Sequence, residues 1–98
     1  MFELPTNLTI YNVEQIQEEL ITYFETKVEA EQGQLILEAA EVEDIDAAGL
    51  QLLVSAYKTA NKNDLVLQIN NLSNELKKLL TLAGAEFIIT EEKGVNVQ

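Results

Sequence analysis

The sequence predicts a single α/β domain with a largely parallel sheet. Three observations lead there. Leu35-Ile36-Leu37 and Leu65–Ile69 are short apolar runs of strand length. The stretches around them place apolar residues at spacings of three and four, as one helix face requires. Strands and helices therefore alternate, which calls for βαβ crossovers. A chain of 98 residues with no linker, repeat or low-complexity segment fits one domain over residues 1–98.

Phe2–Leu4 and Leu8–Tyr11 are short apolar pieces separated by Pro5-Thr6-Asn7, and read as one bulged strand or two small ones. Asn12 precedes a helical pattern, and Gln15 at the third helical position gives a pairing like a capping box. Val13, Ile16, Leu20, Phe24 and Val28 form the apolar face of that helix, with acidic residues mostly off it. The helix should stop before Gly33. Leu35–Ala39 reads as a buried strand and Glu41–Asp46 as a loop. Asp46 is placed to cap a second helix by accepting from the amide of Ala48 or Gly49. The inner face of that helix is Ala48, Leu52, Leu53, Ala56, Tyr57 and Ala60. Asn61–Asp64 is a turn. Leu65–Ile69 is a strand with Leu65, Leu67 and Ile69 on one face and Val66 on the other. Asn71 or Ser73 starts a third helix carrying Leu72, Leu76, Leu79, Leu80 and Ala83 at helical spacing, and Gly84 suits the position after its end. Phe87-Ile88-Ile89 reads as a final strand, followed by a polar, frayed tail from Glu91 to Gln98.

Composition narrows the chemistry. The chain has no Cys and no His, which removes thiolate chemistry and the commonest neutral-pH base and metal ligand. It has no Arg, the usual bidentate phosphate clamp. A net charge of −11 repels nucleic acid and anionic lipid heads, and favours either plain solubility or a basic partner surface. No apolar stretch has the length of a membrane span, so direct membrane insertion is not expected. Met1-Phe2-Glu3-Leu4-Pro5 lacks the features of a secretory leader, and a cytoplasmic location is expected.

The stretch Asp44-Ile45-Asp46-Ala47-Ala48-Gly49-Leu50-Gln51-Leu52-Leu53 resembles the central motif of the STAS family, the anti-sigma-factor-antagonist fold. In that motif an Asp-Ser/Thr-Ser/Thr/Ala-Gly-Leu loop opens a helix. Two weaker landmarks agree: Leu4–Asn12 is similar to the family's segment leading into the first helix, and Asn71–Leu76 with Leu82–Ala85 resembles its third helix and the turn after it. The resemblance covers essentially the whole chain and looks most like the short stand-alone members found with chemotaxis and signalling systems. It implies a small sheet, largely parallel with a mixed N-terminal edge, packed against three to four helices. It implies a bacterial regulator that binds another protein reversibly, in the typical case an anti-sigma factor that is also a Ser/Thr kinase, with an effect on transcription. Phosphorylation in the central loop then ejects the STAS protein, because nearly two negative charges arrive at a packed interface.

Three departures from the pattern stand out. Ala47 occupies the position of the phosphorylated Ser or Thr, and neighbouring Ala48 has no hydroxyl either. Thr9 stands where many switchable members carry Asp. The N-terminus begins at what would be the second strand of longer members. Kinase control at the usual site is therefore not expected, while docking is.

Each singled-out residue also has a plainer role. Asp46 is an N-cap as well as part of a binding loop. Gly49 serves close packing or an unusual backbone as well as partner access. Gln51, Ser55, Lys58 and Thr59 lie on the outer face of the second helix, ordinarily a solvated face, and Val54 near it is an apolar anchor if exposed. Glu41, Glu43, Asp44 and Asp46 lack the spacing and glycine of a Ca²⁺ loop. Nothing supplies a substrate cleft or nucleophile for paired carboxylates to serve. Tyr11, Tyr23 and Tyr57 read as core or rim aromatics, since no basic residues interleave them. Ser55, Thr59 and Ser73 read as solvated or capping hydroxyls.

The expectation is a protein-binding regulator without catalysis or cofactor. Its partner-binding residues would be Asp44, Asp46, Ala47, Ala48, Gly49, Gln51, Ser55, Lys58 and Thr9, with the Thr6–Tyr11 segment alongside. The partner classes are an anti-sigma factor or Ser/Thr kinase, a chemotaxis-type signalling protein, or the ATPase of an ABC-type lipid or solute transporter. A small ligand such as a nucleotide is a third, weaker reading. An open edge at the N-terminal strand would allow a homodimer.

Overall fold

The computed structural model describes residues 1–29 and 33–89. The element order is β1 (Phe2–Glu3), β2 (Asn7–Leu8), α1 (Val13–Glu29), β3 (Gln34–Glu38), β4 (Asp44–Ile45), α2 (Ala47–Lys62), β5 (Val66–Asn70), α3 (Asn74–Leu82) and a 3-10 turn at Glu86–Ile88. The tail from Glu91 to Gln98, expected to fray, lies outside the described residues.

The described residues form two small sheets. One has the order β1-β3-β5, the other pairs β2 with β4. All three pairings are parallel, so the N-terminal edge expected to be mixed is parallel too. The reason is connectivity: Pro5 and Thr6 carry the chain from β1 to β2 without reversing it, and each short strand then lies beside one that runs the same way.

The central sheet is apolar on one face. Leu35, Leu37, Leu67 and Ile69 are buried and face each other in register, Leu35 opposite Leu67 and Leu37 opposite Ile69. The alternate residues, Gln34, Ile36 and Glu38 with Val66, Gln68 and Asn70, are half-buried or exposed. The strand read as buried is thus buried on one side only. Helices α1 and α2 pack on β3 and β5 and on each other. Ile16 and Leu20 of α1, Leu52, Leu53 and Ala60 of α2, and Leu76 and Leu80 of α3 complete one core cluster. The apolar face expected for α1 is buried only at its centre, since Val28 is exposed near the end. Leu79 and Ala83 likewise fall outside the buried face of α3.

Local chemistry sets the helix ends. Ser73 caps α3, its hydroxyl oxygen accepting from the Leu76 N–H at 3.0 Å. Gly84 follows that helix with φ +77°, a left-handed conformation that glycine adopts freely. The capping box expected at Asn12 and Gln15 does not form. Asn12 turns back instead, its Oδ1 accepting from the Thr9 N–H and its Nδ2 donating to the Asn7 carbonyl, while Gln15 reaches Glu19. The turn won because asparagine bonds nearby backbone outside a helix as readily as at a cap.

Two further expectations are corrected. The stretch Glu41–Asp46 contains β4, made because the Glu43 and Asp44 amides donate to the Thr6 carbonyl and draw the chain beside β2. Phe87-Ile88-Ile89 is not a strand. The N–H groups of Ile88 and Ile89 donate three residues back, to Ala85 and Glu86, and both side chains are buried. Three apolar residues carry no period that separates strand from turn. Burying consecutive side chains suits the turn, whose Phe87 ring meets Tyr57 of α2 at 5.0 Å.

One contact compensates for a short strand. Strand β1 pairs with β3 only at Leu37 and Glu38. Just beyond, the Tyr23 hydroxyl of α1 donates to the Ile36 carbonyl at 3.1 Å and accepts from the Ile36 N–H at 3.3 Å. The Tyr23 ring also packs beside Phe2 at 5.7 Å and under the Lys27 ammonium at 5.4 Å.

Candidate functional site

The N-terminus of α2 is built from two segments far apart in sequence. Pairing of β2 with β4 sets Asn7 opposite Asp44 and Leu8 opposite Ile45. The Asp46 N–H then donates to the Leu8 carbonyl. This brings the residues after β2 to the start of α2. Asp46 is extended, at φ −119° and ψ −171°, and uses both carboxylate oxygens. Oδ1 accepts from the Gly49 N–H at 3.0 Å and caps the helix. Oδ2 accepts from the Ile10 N–H, also at 3.0 Å. The Ile10 N–H first, and the Gly49 N–H next, hold the Asp46 carboxyl below its ordinary pKa.

Gly49 closes the joint. It is buried, and a Cβ on it would overlap the Leu8 carbonyl oxygen and crowd Ile45. Close backbone approach is its role here. The turn from Thr9 to Asn12 is equally tied: the Asn12 and Val13 amides donate to the Thr9 carbonyl, and the Tyr11 N–H reaches the Thr9 hydroxyl oxygen at 3.3 Å. With its polar groups turned inward, the turn holds Ile10 and Tyr11 outward, 64% and 94% exposed.

The structure brings most of the expected residues together here. Asp46, Ala48 and Gly49 lie in the joint, and Ala47 is exposed at its surface. Gln51, Ser55 and Lys58, with Thr59, are exposed along α2. Thr9 is half-buried and engaged in its own turn, so it shapes the site rather than presenting itself. Val54 is half-buried and packed on the core, which removes it as an exposed anchor. Asp44 belongs elsewhere: it is exposed and lines a depression with Ser73, Glu75 and Leu79 of the α3 region. Among the described residues, no three carboxylates gather as a metal ion would need.

Ile10 and Tyr11 fall in the Thr6–Tyr11 segment expected alongside the site, but the sequence reading does not single them out. From sequence Tyr11 reads as a core or rim aromatic, and Leu8–Tyr11 as strand. The available signal was the polar pair Thr9 and Asn12 flanking two apolar residues, the pattern of a side-chain-braced turn and not of a strand.

No helix among the described residues is long and apolar enough to cross a membrane. A search of curated proteins for relatives finds no match. A protein-family comparison finds that the STAS domain matches residues 1–96. The chain belongs to the STAS family, and its three helices and small parallel sheet fit that fold. The membership supports a role related to that of anti-sigma-factor antagonists and other STAS-domain regulators.

Proposed function

From that membership we propose that the protein is a non-catalytic regulator that docks on another protein through the N-terminus of α2. The surface is the Asp46–Gly49 loop, the exposed Gln51, Ser55 and Lys58 of α2, and the Ile10–Tyr11 tip. The observation that carries this reading is the double use of Asp46. One carboxylate caps the helix and also fixes, across 36 residues, a turn that holds an exposed tyrosine in water. A backbone turn fixed before contact loses less entropy on binding, which favours the tyrosine it carries as an interface anchor.

Ala47 sits exposed at the centre of this surface. With no hydroxyl at 47 or 48, binding is constitutive with respect to phosphorylation at that loop. The partner is an anti-sigma factor or Ser/Thr kinase, or a chemotaxis-type signalling protein. The missing hydroxyl also suits a second reading, standing contact with the ATPase of an ABC-type transporter.

The test is capture from the native lysate with parent and Ala47→Glu baits, read by mass spectrometry. Glutamate at 47 is expected to weaken the captured partner by roughly 2 kcal/mol or more, the scale of a charge set into a packed interface centre. Circular dichroism should show the variant folded. Equal capture by both baits would place the interface elsewhere, and an ABC ATPase lost with the variant would select the second reading.

A further inference from the structure

A second depression, of about 280 Å³, lies between the Val42–Ile45 stretch and α3. It shares no residue with the α2 surface. Val42, Ile45, Leu76 and Leu79 give it apolar walls, and Glu43, Asp44 and Glu75 are its charged groups. Neither cation of α3, Lys77 or Lys78, lines it. Leu79 is 41% exposed, and Leu82, one turn further along α3, is 80% exposed. Two leucines left in water at and beside this groove are costly unless something covers them.

We infer that this groove is a docking site for a short amphipathic segment of a partner protein, one that presents apolar side chains flanked by lysine or arginine. Charge decides the occupant. Every ionisable side chain lining the groove is an acid, so a neutral or acidic segment would leave those carboxylates facing apolar or like-charged atoms. A second copy of this chain fits poorly, since its net charge of −11 repels its own kind. A basic segment places its apolar side on Leu79 with the half-buried Val42 and Ile45, and its cations on Glu43, Asp44 and Glu75, the helix-in-groove arrangement.

The experiment titrates the full, isotope-labelled chain with a synthetic peptide of Leu and Lys at helical spacing, and follows the backbone amide signals. Saturable shifts confined to residues 42–45 and 73–79 are expected. The combined variant Glu43→Gln and Glu75→Gln should bind roughly tenfold more weakly at low salt. Glu14→Gln with Glu18→Gln removes the same charge from α1 and should change affinity by less than about twofold. All four substitutions are at exposed positions, so folding should survive in both variants. Ala47→Glu should leave the titration unchanged. Shifts spread over α1 or centred on Ile10 and Ala47, equal losses in the two charge variants, or undiminished binding of a peptide with Ser in place of Leu would each overturn the assignment. So would a dimer, seen by sedimentation, whose formation shifts the same amides.

Discussion

The starts of α2 and α3 look alike at first and differ in reach. Each is capped by a side-chain oxygen accepting from the third helical amide at 3.0 Å, Asp46 to Gly49 and Ser73 to Leu76. Ser73 has one oxygen and does one local task. Asp46 has two, and the second holds Ile10. The residues at the third helical position differ as well. Leu76 inserts its side chain into the core, while Gly49 has none, because the Leu8 carbonyl fills that space. A helix start becomes a tertiary joint when its cap has a spare acceptor and its third residue lets another backbone in.

The largest expected effect breaks the joint directly. Gly49→Ala sets a methyl group against the Leu8 carbonyl and should cost about 2–3 kcal/mol, because backbone on the other side yields little. Chemical denaturation measures it, and a loss within experimental error of zero would mean that β2 can move aside.

Asp46→Ser separates the two functions of the cap, since a serine keeps one acceptor and drops the other. The helix should persist. The Ile10 amide should exchange faster with solvent, and the melting temperature should fall. The difference has a defined pH dependence. Because Asp46 has a lowered folded-state pKa, its contribution is complete above the ordinary carboxylate range and is lost as pH falls through the lowered value. Parent and variant should therefore converge in stability at acid pH. A constant gap across that range would assign the effect to packing instead of charge.

The smallest effect belongs to the simpler cap. Ser73→Ala should cost about 1 kcal/mol, the usual loss for an N-cap hydroxyl, with little change at the Ile10 turn. If it disturbed Ile10 as much as Asp46→Ser does, the distinction between a local cap and a joint would fail.

What was legible in the sequence follows the same division. The cap at Asp46, the glycine at 84 and, as one of two candidates with Asn71, the cap at Ser73 could be read because each is fixed by residues within one turn of itself. The three helices and two main strands followed from apolar spacing. The Ile10–Asp46 bond could not be read, because no local pattern records a contact across 36 residues. The same is true of Asp44. Its place in the motif grouped it with Asp46, yet successive residues along β4 and beyond point different ways, and it opens toward α3. At Asn12 and at Phe87–Ile89 the sequence carried two self-consistent local options, and packing chose between them.

The Tyr23 hydroxyl bears on how this protein behaves when concentrated. A strand with an unmet N–H and C=O is a template on which another chain can add itself, and stacked additions of that kind begin fibrils. The Ile36 N–H is such a point, left open by the brevity of β1, and the Tyr23 phenol oxygen accepts from it while its hydroxyl donates to the Ile36 carbonyl. That gap beside β1 is thereby closed without the chain having to lengthen its first strand, and the acidic surface is left to keep neighbouring molecules apart in a crowded solution.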